Sequence, residues 1–378
     1  MGWVTDLDLI AETMRILILN WKDLEHPAAG GAEAFIHSVA EGLVQRGHEV
    51  TLVAARIDRR RDAEDVRGVK VVRRGGRISV YRAARRFWKT QPAGSFDIVV
   101  DSINTRPFLA PRWVGDTPVI ALIYQLAREV WFTETPLPVA ALGRYVLEPW
   151  WLRAYRNVPA LTISESSAAS LREHLGWTDV TVLPMGLEPM TKPDVPKEER
   201  PTVVFLGRLV GMKRPEDAIR AFARLRSARP DARLWIIGTG PQQERLRAAA
   251  APGVELLGRV TSDERANLLG RAHVLVATSV REGWGLNVSE AAACGTPSIC
   301  YSVPGLVDSV AAAAGALVDA NPEALGDALI RFFAGQLNLV PRVSTRPWPE
   351  VAEVVERRLR EVVTTFDPDR GRVRGRGV

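Results

Sequence analysis

The sequence predicts an α/β protein made of two doubly wound domains. Short apolar strands alternate with amphipathic helices from residue 16 onward, and the alternation starts again after a polar, proline-bearing stretch at residues 189–201. The chain has 378 residues, and two domains of about 170 residues suit that length better than one large core. We therefore expect two Rossmann-like sheets, with ligands bound at the carboxyl ends of their strands.

Composition excludes several classes of protein. Apolar residues make up 46%, and the formal net charge of +6 is mild for this length. No apolar run reaches the roughly 18 residues of a membrane span, and no signal peptide precedes the first strand, so we expect a cytoplasmic protein. No nucleic-acid-binding signature is present. The two cysteines, Cys294 and Cys300, are expected to be free thiols.

The amino-terminal half opens with a strand, a loop and a helix. Residues 1–13 are predicted to be an extension, since Met14 directly precedes the apolar strand at residues 16–19 and is itself an alternative start. A helix over residues 32–46 and a strand over residues 49–54 follow. The glycine pair Gly30 and Gly31 stands in the loop, where such folds bind ligands. The loop lacks a full G-x-G-x-x-G, which disfavours dinucleotide binding and an oxidoreductase.

A basic segment at residues 73–89 has two interpretations. Apolar residues recur at helical spacing between its arginines. Such a helix can lie on an anionic membrane, which would make the protein peripheral at the inner face. We favour the alternative, in which the apolar stripe packs on the sheet.

Two further strands are predicted after the basic segment. One is predicted at residues 96–100, ending at Asp101, and the next at residues 117–123, followed by Tyr124. Aromatic residues beyond them can stack on an acceptor, touch lipid or pack in the core; they are Trp131, Phe132, Trp150 and Trp151. With the linker at residue 189, the first domain is predicted to span residues 14–188.

The second half carries the densest motif, at residues 278–305. Gly283 and Gly285 allow close approach of a ligand, and a helix that starts near Leu286 would direct free N–H groups at a diphosphate. Glu290 is placed in the first turn of this helix, where a carboxylate can accept hydrogen bonds from a ribose diol. Gly295 is predicted to end the helix before a strand at residues 298–302.

In these residues the sequence resembles the retaining glycosyltransferases of family 4, which share the two-domain GT-B fold. The resemblance rests on E-x7-E, Glu282 to Glu290, within EGWGLNVSEAAACGTP. It implies that Glu282 lies by the donor sugar and that Glu290 holds the nucleotide ribose. It also implies two domains that face a central cleft.

Other segments extend the resemblance. GRLVGMK, from Gly207 to Lys213, resembles the diphosphate clamp of the family and implies that Arg208 and Lys213 bind the donor phosphates. Two cations there would stabilise the charge on a departing diphosphate. Gly258 and Val260 correspond to the region by the nucleotide base. The Gly30–Gly31 loop resembles the one that faces the phosphates and the acceptor, while Tyr124 stands where the family commonly has a histidine.

The domain organisation implied is an extension at 1–13, an acceptor domain at 14–188, a donor domain at 189–348, a terminal helix at 349–366 that crosses back to the first domain, and a disordered basic tail at 367–378. The catalytic residues implied are Glu282, Arg208 and Lys213. The donor-binding set comprises Gly207, Arg208, Lys213, Gly258, Val260, Glu282, Gly283, Trp284, Gly285, Leu286 and Glu290.

We therefore expect a retaining hexosyltransferase. It would use a UDP-sugar, with GDP-mannose as the alternative, and an acceptor hydroxyl on a saccharide, lipid or small molecule. No cofactor or metal is implied, because the clamp cations and the helix N-terminus replace the charge of a metal. The second hypothesis is a GT-B protein that does not transfer, such as a nucleotide-sugar epimerase or a binding module.

Overall fold

The structure is a computed structural model that describes residues 12–188, 190, 192–248, 250–367 and 372–373. Most of the predicted extension and basic tail, as well as linker residues 189 and 191, therefore lie outside the described residues. Within the tail predicted to be disordered, Arg372–Val373 (β16) pairs antiparallel with Phe366–Asp367 (β15).

Contacts divide the chain into two compact units. Of the described residues, the first unit contains those within 12–123, 151–161 and 348–373, and the second contains those within 124–150 and 162–347. The terminal helix thus groups with the first unit. Residues 124–150 and 162–188 group with the second unit, whereas the linker signal had placed the boundary at residue 188.

The first unit is built on a mainly parallel sheet, of which the strands Ile98–Ile103 and Val119–Ile123 are buried on both faces. Its helices are Gly31–Gln45 (α1), Val80–Lys89 (α2) and Trp348–Thr365 (α13). Its strands are Arg15–Leu19 (β1), Glu49–Ala54 (β2), Ala63–Val66 (β3), Val69–Arg73 (β4), Ile98–Ile103 (β5), Val119–Ile123 (β6) and, at the limit of the unit, Ala160–Thr162 (β7). The sheet containing them has the order β3-β4-β2-β1-β5-β6-β7 and is completed by Val180–Val182 (β8). The edge strand β3, which the sequence did not predict, pairs antiparallel with β4.

The apolar stripe of helix α2 packs on the sheet. Val80 and Ala84 are buried in the core above the sheet, and Phe87 and Trp88 pack partly buried against it. The intervening Arg82, Arg85 and Arg86 are exposed. The packed-helix interpretation therefore accounts for the stripe.

Asp101 corrects the predicted end of its strand. The strand was expected to stop at residue 100, yet β5 continues to Ile103, and the Asp101 side chain is fully buried. Its carboxylate accepts hydrogen bonds from the N–H groups of Phe108 (3.2 Å) and Ala110 (3.1 Å) and from the Tyr155 hydroxyl. A charged residue can stay inside a strand because these donors come from the following loop and a distant turn.

The second unit is built on a six-stranded parallel sheet in the order β11-β10-β9-β12-β13-β14. The strands are Thr202–Leu206 (β9), Arg233–Ile237 (β10), Val254–Gly258 (β11), Val274–Ala277 (β12), Ser298–Tyr301 (β13) and Ala316–Val318 (β14). The helices are Val130–Glu134 (α3), Leu137–Leu142 (α4), Glu148–Leu152 (α5, whose last two residues belong to the first unit), Glu165–Leu175 (α6), Pro215–Ala228 (α7), Gln243–Ala248 (α8), Ser262–Arg271 (α9), Leu286–Ala293 (α10), Leu306–Ala312 (α11) and Pro322–Phe333 (α12).

Helix α7 shows how helices pack on this sheet, since it presents a continuous apolar face. In α7, Ala218, Phe222 and Leu225 are buried in the core. Both cysteines are buried and free, and burial raises the pKa of Cys294 to about 11 and that of Cys300 to about 12. Among the helices of the described residues, none is both long and apolar enough to cross a bilayer.

Candidate functional site

The loops at the carboxyl ends of β9 and β10 pack backbone against backbone. A side chain at Gly238, whose φ is +133°, would place its Cβ 2.0 Å from the carbonyl oxygen of Gly207. One at Gly240 would place its Cβ 2.3 Å from the carbonyl oxygen of Leu209. Only glycine fits at these positions, so the loop that carries Arg208 and Lys213 is held firmly by its neighbour.

Lys213 ends a single 3-10 turn, Gly211–Lys213, which leads into α7. The next residue, Arg214, has a left-handed backbone with φ of +45°, and Pro215 begins the helix. The Thr278 hydroxyl lies 2.9 Å from the Lys213 carbonyl oxygen and 2.8 Å from that of Arg214, and donates to this turn. The end of β12 thereby fixes the backbone from which Lys213 projects.

Lys213 and Glu282 meet directly. The Lys213 ammonium forms an ion pair with Oε1 of Glu282, and the same oxygen accepts a hydrogen bond of 2.6 Å from the Ser279 hydroxyl. Glu282 is 8% exposed and Ser279 is 2% exposed. A buried carboxylate held between an ammonium and a hydroxyl keeps a defined position, so this pair can present both charges to a polar ligand. Ser279 was not identified from the sequence.

The glycines of the motif loop, residues 278–285, have different structural roles. Gly285 is the N-cap of α10 with φ of +98°, and a Cβ there would lie 2.8 Å from Leu306. A Cβ at Gly283 would lie 3.0 Å from the Tyr124 carbonyl oxygen. Trp284 turns its indole N–H to the Ser289 hydroxyl at 2.9 Å. In the described part of the chain no hydrogen bond is found for the N–H groups of Leu286 and Asn287, which leaves them for a ligand.

Glu290 is not in the first turn of its helix. Because α10 begins at Leu286, Glu290 is its fifth residue and lies beyond the first turn in which the sequence had placed it. Its side chain is 16% exposed, and Oε1 lies 3.4 Å from Nη2 of Arg265 on α9. Burial raises the pKa of Glu290, and the Arg265 charge opposes that shift. Arg265 was not recognised from the sequence, because no motif includes it.

The remaining residues that were predicted to bind the donor substrate take part in neither the Lys213–Glu282 nor the Arg265–Glu290 ion pair. Arg208 is exposed, and no ion pair or hydrogen bond of its guanidinium is found among the described residues. Gly258 ends β11 with φ of +71°, and its carbonyl oxygen accepts from Gly238 N–H at 2.8 Å. Val260 is half-buried against the core of the second unit.

Tyr124 belongs by its contacts to the second unit. Its side chain is 5% exposed, its carbonyl oxygen accepts from the Ser167 hydroxyl at 3.0 Å, and it abuts Gly283. Residues that follow it also reach the motif loops. Glu129 pairs with the buried Arg281 at 2.9 Å, and a Glu134 oxygen accepts from Met212 N–H at 2.8 Å. The sequence carries no signal for these long-range contacts.

Gly30 and Gly31 lie in the first unit, at the start of α1. Gly30 is the N-cap, and its N–H donates to Oε2 of Glu33 at 2.7 Å. The same oxygen lies 3.3 Å from the ammonium of the buried Lys22, which also donates to the Ala28 carbonyl at 2.7 Å. The loop is therefore shaped by a buried Lys–Glu pair that sequence patterns did not indicate.

Comparisons with known proteins find similarity to glycosyltransferases. The family model described as "Glycosyl transferases group 1" matches residues 188–344, and the one described as "Glycosyltransferase Family 4" matches residues 29–190. The chain is 27% identical over 323 residues to a GDP-mannose-dependent alpha-(1-6)-phosphatidylinositol dimannoside mannosyltransferase of Mycobacterium tuberculosis, covering 80% of this chain and 84% of the relative.

Two more proteins are similar over most of their length. A glycogen synthase of M. tuberculosis is 27% identical over 342 residues, covering 79% of this chain and 80% of the relative. The solved sucrose-phosphate synthase of Thermosynechococcus elongatus has a TM-score of 0.66 at 18% identity, with 95% of this chain and 96% of that chain covered. Together, the two family models, these relatives and the paired α/β sheets show the GT-B fold and support a hexosyltransferase of the family 4 type.

Proposed function

We propose that the protein transfers a hexosyl group from a nucleoside diphosphate sugar to an acceptor hydroxyl, with retention of the anomeric configuration. The observation that carries this proposal is the Lys213–Glu282 ion pair at the carboxyl ends of two neighbouring parallel strands, β9 and β12. Ligands bind at this edge of doubly wound sheets. The pair offers a cation for a leaving diphosphate and a carboxylate for sugar hydroxyls.

The proposed roles follow from charge and exposure. Lys213 and the exposed Arg208 bind the diphosphate, together with the N–H groups at the start of α10. Glu282 orients the sugar, and Glu290 accepts hydrogen bonds from the ribose hydroxyls. Gly207, Gly258, Val260, Gly283, Trp284, Gly285 and Leu286 complete the donor site. The Gly30–Gly31 loop and Tyr124 are assigned to the acceptor side.

The donor is proposed to be a UDP-sugar or GDP-mannose. One relative carries GDP-mannose in its name, which supports including that donor beside the UDP-sugars. Transfer is proposed to need no divalent metal, because Lys213 and Arg208 supply the positive charge. Activity that is lost in EDTA and restored by Mg²⁺ or Mn²⁺ would contradict this part of the proposal.

An NMR assay tests the reaction type. The protein is incubated with an α-linked UDP-sugar or GDP-mannose, with and without saccharide and glycolipid acceptors, and the anomeric proton is followed. We expect release of the nucleoside diphosphate and an α-linked product. A β-linked product would refute retention. Conversion of the donor into an epimer would instead favour the non-transferring alternative.

The acceptor is proposed to be a saccharide, a glycolipid or a small molecule, and peripheral membrane contact is part of the lipid case. Large apolar side chains are exposed along α3, α4 and the following turn, namely Phe132, Leu137, Val139, Leu142, Tyr145 and Val146. Between residues 135 and 147 the single charged residue is Arg144, so this surface suits a membrane interface.

Sedimentation with vesicles tests that contact. The lipid case predicts binding to vesicles containing anionic phospholipid at low salt and a clear loss with Leu137→Asp and Leu142→Asp together. If neither the unaltered protein nor the double variant sediments with vesicles, the lipid acceptor is removed from the proposal and only soluble acceptors stay in it.

A further inference from the structure

Arg265 stands at an unusual place for a cation. The Thr261 side chain caps α9 and exchanges hydrogen bonds with Glu264, which fixes the start of the helix. Arg265 is therefore the fourth helical residue, in a first turn whose dipole favours anions such as Asp263 and Glu264. The dipole at a helix start of this kind does not stabilise an arginine, whereas the ion pair with a carboxylate on the next helix does.

That carboxylate belongs to Glu290. The Arg265 guanidinium lies 3.4 Å from Oε1 of Glu290 across the contact between α9 and α10. Among the described residues, Arg265 is the charged group found against this carboxylate, which is 16% exposed and has no hydrogen bond. Glu290 therefore keeps its acceptor positions unused while one cation holds it from the side.

We infer that Arg265 is a positioning residue for donor binding, which holds the Glu290 carboxylate ionised and oriented to accept both hydroxyls of the nucleotide ribose. The inference rests on the proposed function, since it assigns the ribose to Glu290. A charged carboxylate can accept from two neighbouring hydroxyls at once, whereas the protonated form has to use one oxygen as a donor. Arg265 thereby acts through Glu290 and not on the reacting atoms.

The electrostatics of the site give this role a signature in pH. Burial raises the pKa of Glu290 and Arg265 lowers it, so removal of Arg265 raises that pKa further. The thiol of Cys294, one turn along α10, stays neutral because burial raises its pKa to about 11. Lys197 lies near Cys294, and burial lowers its pKa to about 8. This value is above pH 5–7, the range in which the effect of Glu290 on binding is measured.

Calorimetric titration of UDP and GDP and of their 2′,3′-dideoxy counterparts tests the inference between pH 5 and 7. We expect Arg265→Ala to weaken binding of the ribonucleotide five- to tenfold, most strongly at the acid end, and to leave the dideoxy nucleotide unaffected. Arg265→Lys should restore most of the affinity. Arg247→Ala, which removes a surface arginine paired with Glu244 at 2.6 Å in the same unit, serves as the matched control and should bind like the unaltered protein.

The outcomes separate the two proposals. Equal binding of the ribonucleotide by Arg265→Ala and the unaltered protein across this range would overturn the role of Arg265, as would an equal loss for ribo- and dideoxynucleotides. Failure of the unaltered protein to bind any nucleoside diphosphate would overturn the proposed function and this inference with it. Arg265→Gln replaces the alanine variant if thermal unfolding shows that the latter does not fold.

Discussion

At the scale of single residues, the centre of the site is a carboxylate shared by two donors. Lys213 and Glu282 are 69 positions apart in the chain, and Ser279 lies three residues before Glu282. Ser279 and Lys213 both donate hydrogen bonds to Oε1 of Glu282, so Oε2 takes part in neither contact. The arrangement fixes the carboxylate and still offers an acceptor to a sugar hydroxyl.

Loss of either clamp cation should slow turnover of the donor. We expect Lys213→Ala and Arg208→Ala each to lower kcat/KM more than tenfold, because a charge-assisted hydrogen bond to phosphate is worth about 1.5–3 kcal/mol. Steady-state kinetics of donor consumption measure this, with Arg247→Ala as the surface control. Unchanged kinetics would remove the altered residue from the site.

Ser279→Ala should affect catalysis more mildly. Glu282 keeps its ion pair with Lys213 but loses the 2.6 Å hydrogen bond that orients it. We expect kcat to fall several-fold with little change in the donor KM, since the loss of one hydrogen bond costs about 1 kcal/mol. A change confined to KM would mean that Ser279 serves ground-state binding.

At the scale of elements, the motif loop is shaped by glycines that tolerate no side chain. Gly305 precedes α11 with φ of +84°, and a Cβ there would lie 2.2 Å from the Glu282 carbonyl oxygen. Glu282 N–H in turn donates to the Pro304 carbonyl at 3.0 Å. The start of α11 thus helps to support the loop that carries Glu282.

The substitution Gly305→Ala should therefore lower both stability and activity. The new methyl group meets backbone that cannot move away without displacing Glu282. Gly335→Ala is the matched control, because Gly335 has a similar φ of +72° with no atom within 4 Å of the added Cβ. It isolates the cost of a positive φ, about 1–2 kcal/mol. Equal melting temperatures for the two variants would contradict the packing argument.

At the scale of the whole molecule, sequence patterns predicted elements well and contacts poorly. The strand at residues 49–54 has the predicted bounds, and the helix predicted at residues 32–46 lies at Gly31–Gln45, because hydrophobic periodicity and helix-end residues are local signals. Lys213 and Glu282, which form an ion pair in the structure, both belong to motifs that the sequence reveals. The two-domain GT-B fold is confirmed.

What sequence patterns could not show depends on distant partners. Asp101 continues its strand because Tyr155 and the amides of Phe108 and Ala110 satisfy it. Arg265 matters only through Glu290 on another helix. Such pairings arise when elements pack, and neither spacing nor composition encodes them locally.

The stability of the first unit should respond to pH through Asp101. Burial raises the pKa of Asp101 to about 6 from an unfolded value of 3.8. The folded form therefore binds the proton more tightly, so this contribution is complete below pH 3.8 and is lost as pH rises through about 6. The change is on the order of 2–3 kcal/mol.

The difference in the free energy of unfolding between the unaltered protein and Asp101→Asn isolates the contribution of Asp101. Denaturant unfolding between pH 4 and 7 should show the unaltered protein losing stability relative to the variant as pH rises. A difference that stays constant with pH would contradict the assignment, whatever the absolute stability of the variant.

The central claim is that Lys213 holds the diphosphate of a nucleotide sugar. Thermal unfolding against UDP-, GDP- and dTDP-sugars and their free diphosphates tests it most directly, since a ligand at 100 times its Kd adds about 2.7 kcal/mol of stability. We predict that one nucleotide series raises the melting temperature and that Lys213→Ala abolishes the shift. Stabilisation by NAD or a nucleic acid, with no response to any of these nucleotides, would contradict the claim.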